Sequence, residues 1–543
     1  MKTYNVILHK GVDYQSFWDD MENENDGGKL YIPNRRVDSP NLRPNSPRQT
    51  WYSLTDEEAE LVRSDERVLA VEIPPEDRDD IVIAPRVIQE GNFTKTTSDS
   101  GTFLNWGLIR SNSKTNNYGS GTTTSENYLY TLDGSNVDVV IQDSGIEAGH
   151  PEFKSYLGFS RVQQINWFTE SGVSGTQSAN HDRDYDGHGT HCAGIVAGLT
   201  YGWAKNANIY SQKIAGLEGT GDSGTGISPT VAFDCIKGWH NNKGINVATG
   251  IKNPTVVNMS WGYLTTYTDA IDEINYRGTS YTGTQIDSTS ERENNYGLMY
   301  SLYSFSGPTY MTNVRIASID TDIEEMIEAG IVICIAAGNR SHKIDEVGGD
   351  DYDNYFGEGV DTPQYYHRGS SPYGDAGQDG TGPRAIIVGN MDSTSASATN
   401  DQKAISSECG PGVDLYAPGT NIMSCTSNTN KWGSGSQNYY LDASYKQTNI
   451  SGTSMAAPQV AGVAALYLQA NPQASPVEVK KAILNTCGTA ILNTGTGNDW
   501  TNDRSLKGGE AKVLFNRFNK AEGVKLQSVS SNFITNGLTL TTK

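Results

Sequence analysis

At 543 residues, with 36% hydrophobic residues and a formal charge of −22, the chain is long enough for two or more domains, one with a sizeable core. That acidity works against nucleic acid and anionic membranes as partners, because both repel an acidic surface. Six thinly spread cysteines without CxxC pairs argue against a disulfide framework or a cysteine-built metal site, and no run reaches the roughly 18 apolar residues of a membrane span.

The opening Met1 to Lys10 lacks the apolar core of a secretory signal, so an intracellular or particle-associated setting is expected over a secreted one. Residues 1–80 read as a small α+β unit. Tyr4 to Leu8 is a strand, and Tyr14, Phe17, Trp18 and Met21 then recur at helical spacing. After a Pro/Arg/Asn-rich loop from Pro33 to Pro47, Thr50 to Leu54 reads as a second strand. Thr55-Asp56-Glu57-Glu58 is a capping box for a helix to Arg63, and Arg67 to Ile73 is a third strand. The charged, then Thr/Ser/Gly-rich stretch that follows reads as a linker, residues 81–102.

From Asn136 short apolar runs alternate with helices. The runs are Val137 to Ile141, Ala207 to Tyr210, Val256 to Met259, Ile331 to Ile335 and Ala385 to Val388. Helical patterns fall around 188–199, 228–242, 319–329, 455–469 and 476–485. This alternation predicts an α/β domain over residues 103–488, a mostly parallel sheet with helices on both faces. Residues 264–312 and 340–382 read as surface insertions, and 489–543 as a C-terminal extension with weak strand signals near Val513 and Phe533.

Functional residues collect at the carboxyl ends of parallel strands. One strand runs into Asp143-Ser144-Gly145-Ile146, another ends in Ala336-Ala337-Gly338-Asn339, and His188 opens a helix of small residues. Singly, Asp143 reads equally as a turn former, His188 as a helix-end residue and Asn339 as a left-handed turn residue. Ser454, in Gly452-Thr453-Ser454-Met455-Ala456-Ala457-Pro458, stands where a small-residue turn enters an apolar helix, a geometry that suits a cap or a nucleophile. Jointly the four fit one reaction. Ser454 attacks a carbonyl, His188 takes its proton, Asp143 fixes the histidine tautomer, and Asn339 donates to the oxyanion. Pro458 lacks an N–H, so hydrogen bonding near it is expected to be irregular.

Asp143-Ser144-Gly145-Ile146, His188-Gly189-Thr190-His191, Ala336-Ala337-Gly338-Asn339 and Gly452 to Pro458, in this order, resemble the motifs of a subtilase, a subtilisin-like serine peptidase. The resemblance covers about residues 103–488 and implies an endopeptidase working through an acyl-enzyme on polypeptides, with no cofactor needed for the chemistry. It completes the oxyanion hole with the Ser454 N–H. Ser260-Trp261-Gly262 resembles the edge strand that pairs with extended substrate, Gly219 to Gly226 the opposite wall, and Gly338 and Arg340 join the substrate-binding set. Trp261 reads equally as a core anchor. Arg340 stands where subtilisin itself carries an acidic residue, so acidic or neutral residues are expected before the scissile bond; the alternative is a solvated arginine paired with nearby acids.

The resemblance gives His191 no catalytic role, and no acid completes an HExxH zinc motif around it. Cys192 is expected to be a small core residue. Structural calcium stays open. Glu152 stands where one family site has a ligand, but the run from Ala193 to Ala204 lacks that site's loop, and the acids between Asp345 and Asp361 read as a solvated loop. The N-terminal unit resembles a subtilase propeptide, an intramolecular inhibitor and folding aid removed by self-cleavage between about Pro74 and Asn105. The alternative is a structural or virion-associated protein on the same fold, part of a larger assembly, cutting only itself.

Overall fold

The computed structural model describes residues 1–22, 32, 35, 37–43, 45–78, 80–85, 105–112, 114, 130–215, 227–299, 309–357, 363–392, 401–489, 491–492 and 504–518. Its large domain is built on a sheet whose central strands are all parallel. Across it lie Val162–Gln164, Asn208–Lys213, Asp138–Asp143, Thr255–Met259, Val332–Ala336 and Ile386–Asp392, with short strands beyond the last. Asp138–Asp143, Thr255–Met259, Val332–Ala336 and Ile386–Asp392 are buried from end to end, as strands covered on both faces must be. Helices Val231–Asn242 and Ala317–Glu328 lie together on one side, while His188–Ala197 and Thr453–Ala470 pack against each other and the sheet.

Register decides what stands at the sheet's carboxyl edge. Gln142 and Ile335 both pair with Met259. Asp143, Ser260 and Ala336, each one residue further along, therefore finish three neighbouring strands at one level.

The N-terminal unit is a four-stranded antiparallel sheet ordered Asn41–Leu42, Gln49–Leu54, Lys2–Leu8, Val68–Glu72, with helices Tyr14–Glu22 and Asp56–Arg63. Its core is its own, from Tyr4, Val6, Phe17, Tyr52, Leu54 and Val62. The capping box forms, with Thr55 accepting from Glu58 N and Glu58 accepting from Thr55 N. The unit sits on the 231–242 and 317–328 helices through buried charge. Arg43 donates to Asp234 at 2.7 Å and Asp322 at 2.8 Å. Glu72 accepts from Ala317 N and Ser318 N at 3.0 and 3.1 Å, capping the second helix where its dipole favours an anion.

Four expectations need correction. The stretch read as linker contains a strand, Ile81–Pro85, which crosses to the large domain and pairs with Trp261–Thr268. The two insertions are one structure: Glu273–Tyr276 and Thr279–Thr282 join Tyr355–Gly357 and Gln364–Tyr365 in a sheet with its own core of Ile274, Tyr296, Phe356 and Tyr366. Two of the acids there, Asp345 and Asp351, are paired rather than simply solvated, Asp351 taking bonds from Arg277 and Lys343 at 2.7 Å each. In the tail, Leu506, Val513, Leu514 and Phe518 belong to the main core, and Val513 makes isolated bridges to Tyr416 and Gly488 in place of a strand. Phe533 and Gly219 to Gly226 lie outside the described residues.

Candidate active site

Asp143 ends its strand with Oδ1 accepting from His188 Nδ1 at 2.7 Å and from its neighbour Ser144 N at 2.7 Å. Both side chains are buried. The histidine is brought there by the way its helix starts. Gly187, at φ +94°, makes a left-handed entry, and a side chain there would strike Thr426 and Trp432. A glycine cannot cap with a side chain, so two others do so. Ser144 Oγ accepts from Gly189 N at 2.8 Å, and Asp184 accepts from Thr190 N at 2.9 Å and Thr190 Oγ1 at 2.6 Å. Asp184 also accepts from Ser144 Oγ at 3.0 Å and Gly187 N at 2.7 Å, tying the Asp143 strand to the His188 helix. Sequence reasoning missed Asp184. The acids of Asp184-Tyr185-Asp186, just ahead of a helix start, were the available signal.

Burial works against an imidazolium at His188, but the charge and hydrogen bond of Asp143 outweigh it and hold the pKa above the ordinary 6.5. His188 Nε2 is buried and has no hydrogen-bond partner among the described residues.

Ser454 enters its helix one residue after Thr453. Its Oγ donates to the carbonyl of Ser260 at 3.0 Å, and its own carbonyl accepts from Ser260 Oγ at 2.9 Å and from Cys192 Sγ at 3.5 Å. Cys192 Sγ also lies 4.0 Å from His188 Nδ1, so one buried thiol touches both the serine and the histidine. Burial pushes that thiol up, keeping it protonated. Donor atoms of Asp143, His188 and Cys192 fall within 4.8 Å of one another, close enough for a metal. The direct His188–Asp143 bond and the protonated thiol favour a proton between these groups instead.

Asn339 is oriented by Thr453. Its Oδ1 accepts from Thr453 N at 2.9 Å and Thr453 Oγ1 at 3.1 Å, and Gly338 N donates to Thr453 Oγ1 at 3.1 Å. A backbone N–H needs an acceptor, so the flip of this amide is fixed and Nδ2 is its donor. Gly338, at φ +130°, lies against the buried carboxylate of Glu408, where a side chain would collide.

Trp261 proves a core anchor, buried with Nε1 donating to Gln142 O at 3.0 Å and its ring against Phe233 and Tyr263. Its backbone, with that of Gly262, lies on the strand beside Ser260. That strand is not an open edge, since Ile81–Pro85 covers one side and Thr309–Asn313 covers Leu264 to Thr268 on the other. Arg340 is half-buried with a guanidinium nitrogen 3.9 Å from Met311 Sδ. His191 is apart from the His188 chemistry. Its Nε2 lies 3.1 Å from the carbonyls of Ile422 and Thr448, and burial takes its pKa down to about 3. The Glu152 carboxylate accepts from Thr200 N at 2.7 Å and from the Tyr439 hydroxyl at 2.6 Å.

The model of the subtilase family matches residues 134–499. Alkaline serine exoprotease A of Vibrio alginolyticus is 26% identical over 448 residues, 82% of this chain and 56% of that protein. Extracellular serine proteinase of a Thermus species is 26% identical over 431 residues, 79% of this chain and 68% of that protein. The chain thus spans little more than half the length of the first of these relatives. The crystal structure of a cold-adapted subtilisin-like serine proteinase aligns with 76% of this chain and 99% of that one, at 22% identity and a TM-score of 0.42. No helix among the described residues is long and apolar enough to cross a membrane.

Proposed function

The chain belongs to the subtilase family, and on that premise we propose that it is a serine endopeptidase that attacks polypeptides through Ser454 and processes its own N-terminal unit. Ser454 Oγ adds to the substrate carbonyl carbon while His188 Nε2 takes its proton. Asp143 keeps the Nδ1 proton of His188 in place and stabilises the imidazolium. The oxyanion is received by Asn339 Nδ2 and the Ser454 N–H. His188 then passes its proton to the leaving nitrogen, and water, activated by the same imidazole, hydrolyses the acyl-enzyme. This chemistry asks for no cofactor.

The observation that carries the reading is the 2.7 Å bond of His188 Nδ1 to Asp143, which leaves Nε2 without a hydrogen-bond partner among the described residues, in a site whose Cys192 thiol also touches Ser454. Residues 1–80 act as prodomain, and the backbone of Ser260 to Gly262 binds the substrate strand, with Gly338 and Arg340 beside the residue before the scissile bond. Casein hydrolysis by the purified chain, with Ser454→Ala as control, tests this. Activity lost in the variant is expected, and equal activity in the two would remove Ser454 from the mechanism. Self-cleavage without casein cleavage would favour the structural alternative.

A further inference from the structure

The N-terminal unit closes over a charge cluster in which acids outnumber bases. Arg43 of the unit donates to Asp234 at 2.7 Å and Asp322 at 2.8 Å, and Lys237 donates to Glu325 at 2.5 Å. Two cations thus stand among three carboxylates, and none of the five side chains is more than 9% exposed. The adjoining Arg48–Glu324 pair is balanced by itself and leaves the excess in place. An uncompensated charge in a closed interface is costly. Asp322 Oδ1 is fully engaged, accepting from Arg43, from Gln49 Nε2 at 2.9 Å and from Ser46 Oγ at 3.3 Å. The other oxygens are not. Asp322 Oδ2 and Glu325 Oε1 are both buried without a hydrogen-bond partner among the described residues. They belong to side chains three apart on the Ala317–Glu328 helix, neighbours on one face. Ionised carboxylates only accept, so neither oxygen can satisfy the other unless one carries a proton.

We propose that docking of the N-terminal unit captures one proton on the Asp322–Glu325 pair, and that rising pH, by removing it, loosens the unit. The titratable and charged groups facing Asp322 are Arg43 from the unit, Asp234 and Lys237 from the 231–242 helix, and Glu325 from its own helix. Tyr263 of the Trp261–Thr268 strand also feels its charge, but burial pushes that phenol up and keeps it neutral. Burial takes the Asp322 carboxyl up to about 7, with Asp234 and Glu325 adding to the rise and Arg43 opposing it. With the unit lifted away, water reaches the pair and the carboxyl returns toward its ordinary 3.8. A group whose pKa is higher docked than free favours docking fully below the free value and loses that contribution as pH rises through the docked value. This contribution to the docking constant therefore falls about tenfold per pH unit up to about 7 and levels off above it. His188 becomes a free base with rising pH as well, so the unit loosens as the base is readied. That last consequence rests on the proposed peptidase, whereas the docking linkage does not.

Hydrogen exchange of the full chain carrying Ser454→Ala, from about pH 5 to about pH 9 and corrected for the intrinsic exchange rate, reads docking without any catalysis, so its failure is distinct from failure of the peptidase reading. The amides of Ala317 and Ser318 report it, because their acceptor, the Glu72 carboxylate, belongs to the unit. Asp322→Asn and Glu325→Gln, each added to that chain, replace a carboxylate oxygen by an N–H donor and so imitate the protonated pair at every pH. Glu72, itself raised by burial, titrates alike in all three chains, and their difference isolates the pair. Expected is equal protection in the three chains at about pH 5, then an advantage for either amide variant that grows about tenfold per pH unit to about 7 and is constant above it. An advantage that does not change with pH in either variant overturns the inference, and so does a parent chain whose protection follows that of both variants throughout.

Discussion

The hydroxyl of Ser260 donates to the carbonyl of Ser454 at 2.9 Å, filling a place the helix leaves vacant. In a regular helix that carbonyl would accept from the N–H four residues on, which here belongs to Pro458 and does not exist. The thiol of Cys192 at 3.5 Å is a weak second donor. Ser454 returns the bond through its own Oγ, so two reciprocal hydrogen bonds clamp the proposed nucleophile to the end of a sheet strand.

Ser260→Ala should therefore destabilise the protein by about 1–3 kcal/mol, the cost of a buried carbonyl left with one poor donor. Thermal melts in a Ser454→Ala background, where self-digestion is absent, measure it. Pro458→Ala restores the helical N–H, so the Ser260 substitution should cost clearly less in that background. Equal costs in both would show that the two residues do not share the carbonyl.

Proton chemistry at His188 gives a second expectation. A pKa held above 6.5 means the imidazole is a free base only above that value, so the acid limb of kcat/KM should lie on the alkaline side of 6.5. Asp143→Asn removes the charge and leaves burial, which favours the neutral ring. The limb should move to lower pH while kcat falls by about 10⁴. Stability follows the opposite course from activity. A folded pKa above the unfolded one stabilises fully below the unfolded value and loses that contribution as pH rises through the folded value. Asp143→Asn should thus cost more stability at about pH 5 than at about pH 9. A pH-independent cost would remove the charge interaction from the account.

Much of this arrangement is legible in the sequence, because its residues end apolar runs. Asp143 and Asn339 are polar residues at the tips of strands, and His188 and Ser454 open helices of small residues, patterns that local periodicity exposes. What sets their geometry is less visible. Asp184 acts through a loop with no periodicity, and Ser260 looks like any strand-end serine until Pro458 is counted against the Ser454 carbonyl. The two insertions read as separate loops because Asn275 finds Tyr355 across 80 residues of chain, a pairing no local pattern encodes. Ile81–Pro85 carried a strand's composition, but the charged residues before it and the polar stretch after it made a linker the simpler reading.

Asn339 is expected to separate two roles that a single deletion would confuse. Asn339→Ala removes the Nδ2 donor, at about 2.7–4 kcal/mol of transition-state stabilisation, and also abandons Thr453 N. Asn339→Asp keeps an acceptor for Thr453 but offers the oxyanion no donor. The Asp variant should melt close to the wild type with kcat reduced at least 10²-fold, while the Ala variant loses both stability and rate. An Asp variant with near-normal kcat would exclude the side-chain donor.

The N-terminal unit is held by charge that water cannot reach, and this predicts how it binds. Arg43 sits between Asp234 and Asp322 with all three side chains almost fully buried. Removing the arginine leaves two carboxylates facing each other in a closed interface, a loss of about 3–5 kcal/mol for a broken buried pair. Lys2–Asp56 is an exposed pair within the N-terminal unit itself and serves as the control. Fragment 1–85 added in trans should therefore inhibit the enzyme, and Arg43→Ala in the fragment should raise its inhibition constant by at least 100-fold. Lys2→Ala should change it by less than about tenfold. Equal effects of the two substitutions would mean that the fragment binds through its Ile81–Pro85 strand alone and that the buried triad contributes nothing to affinity.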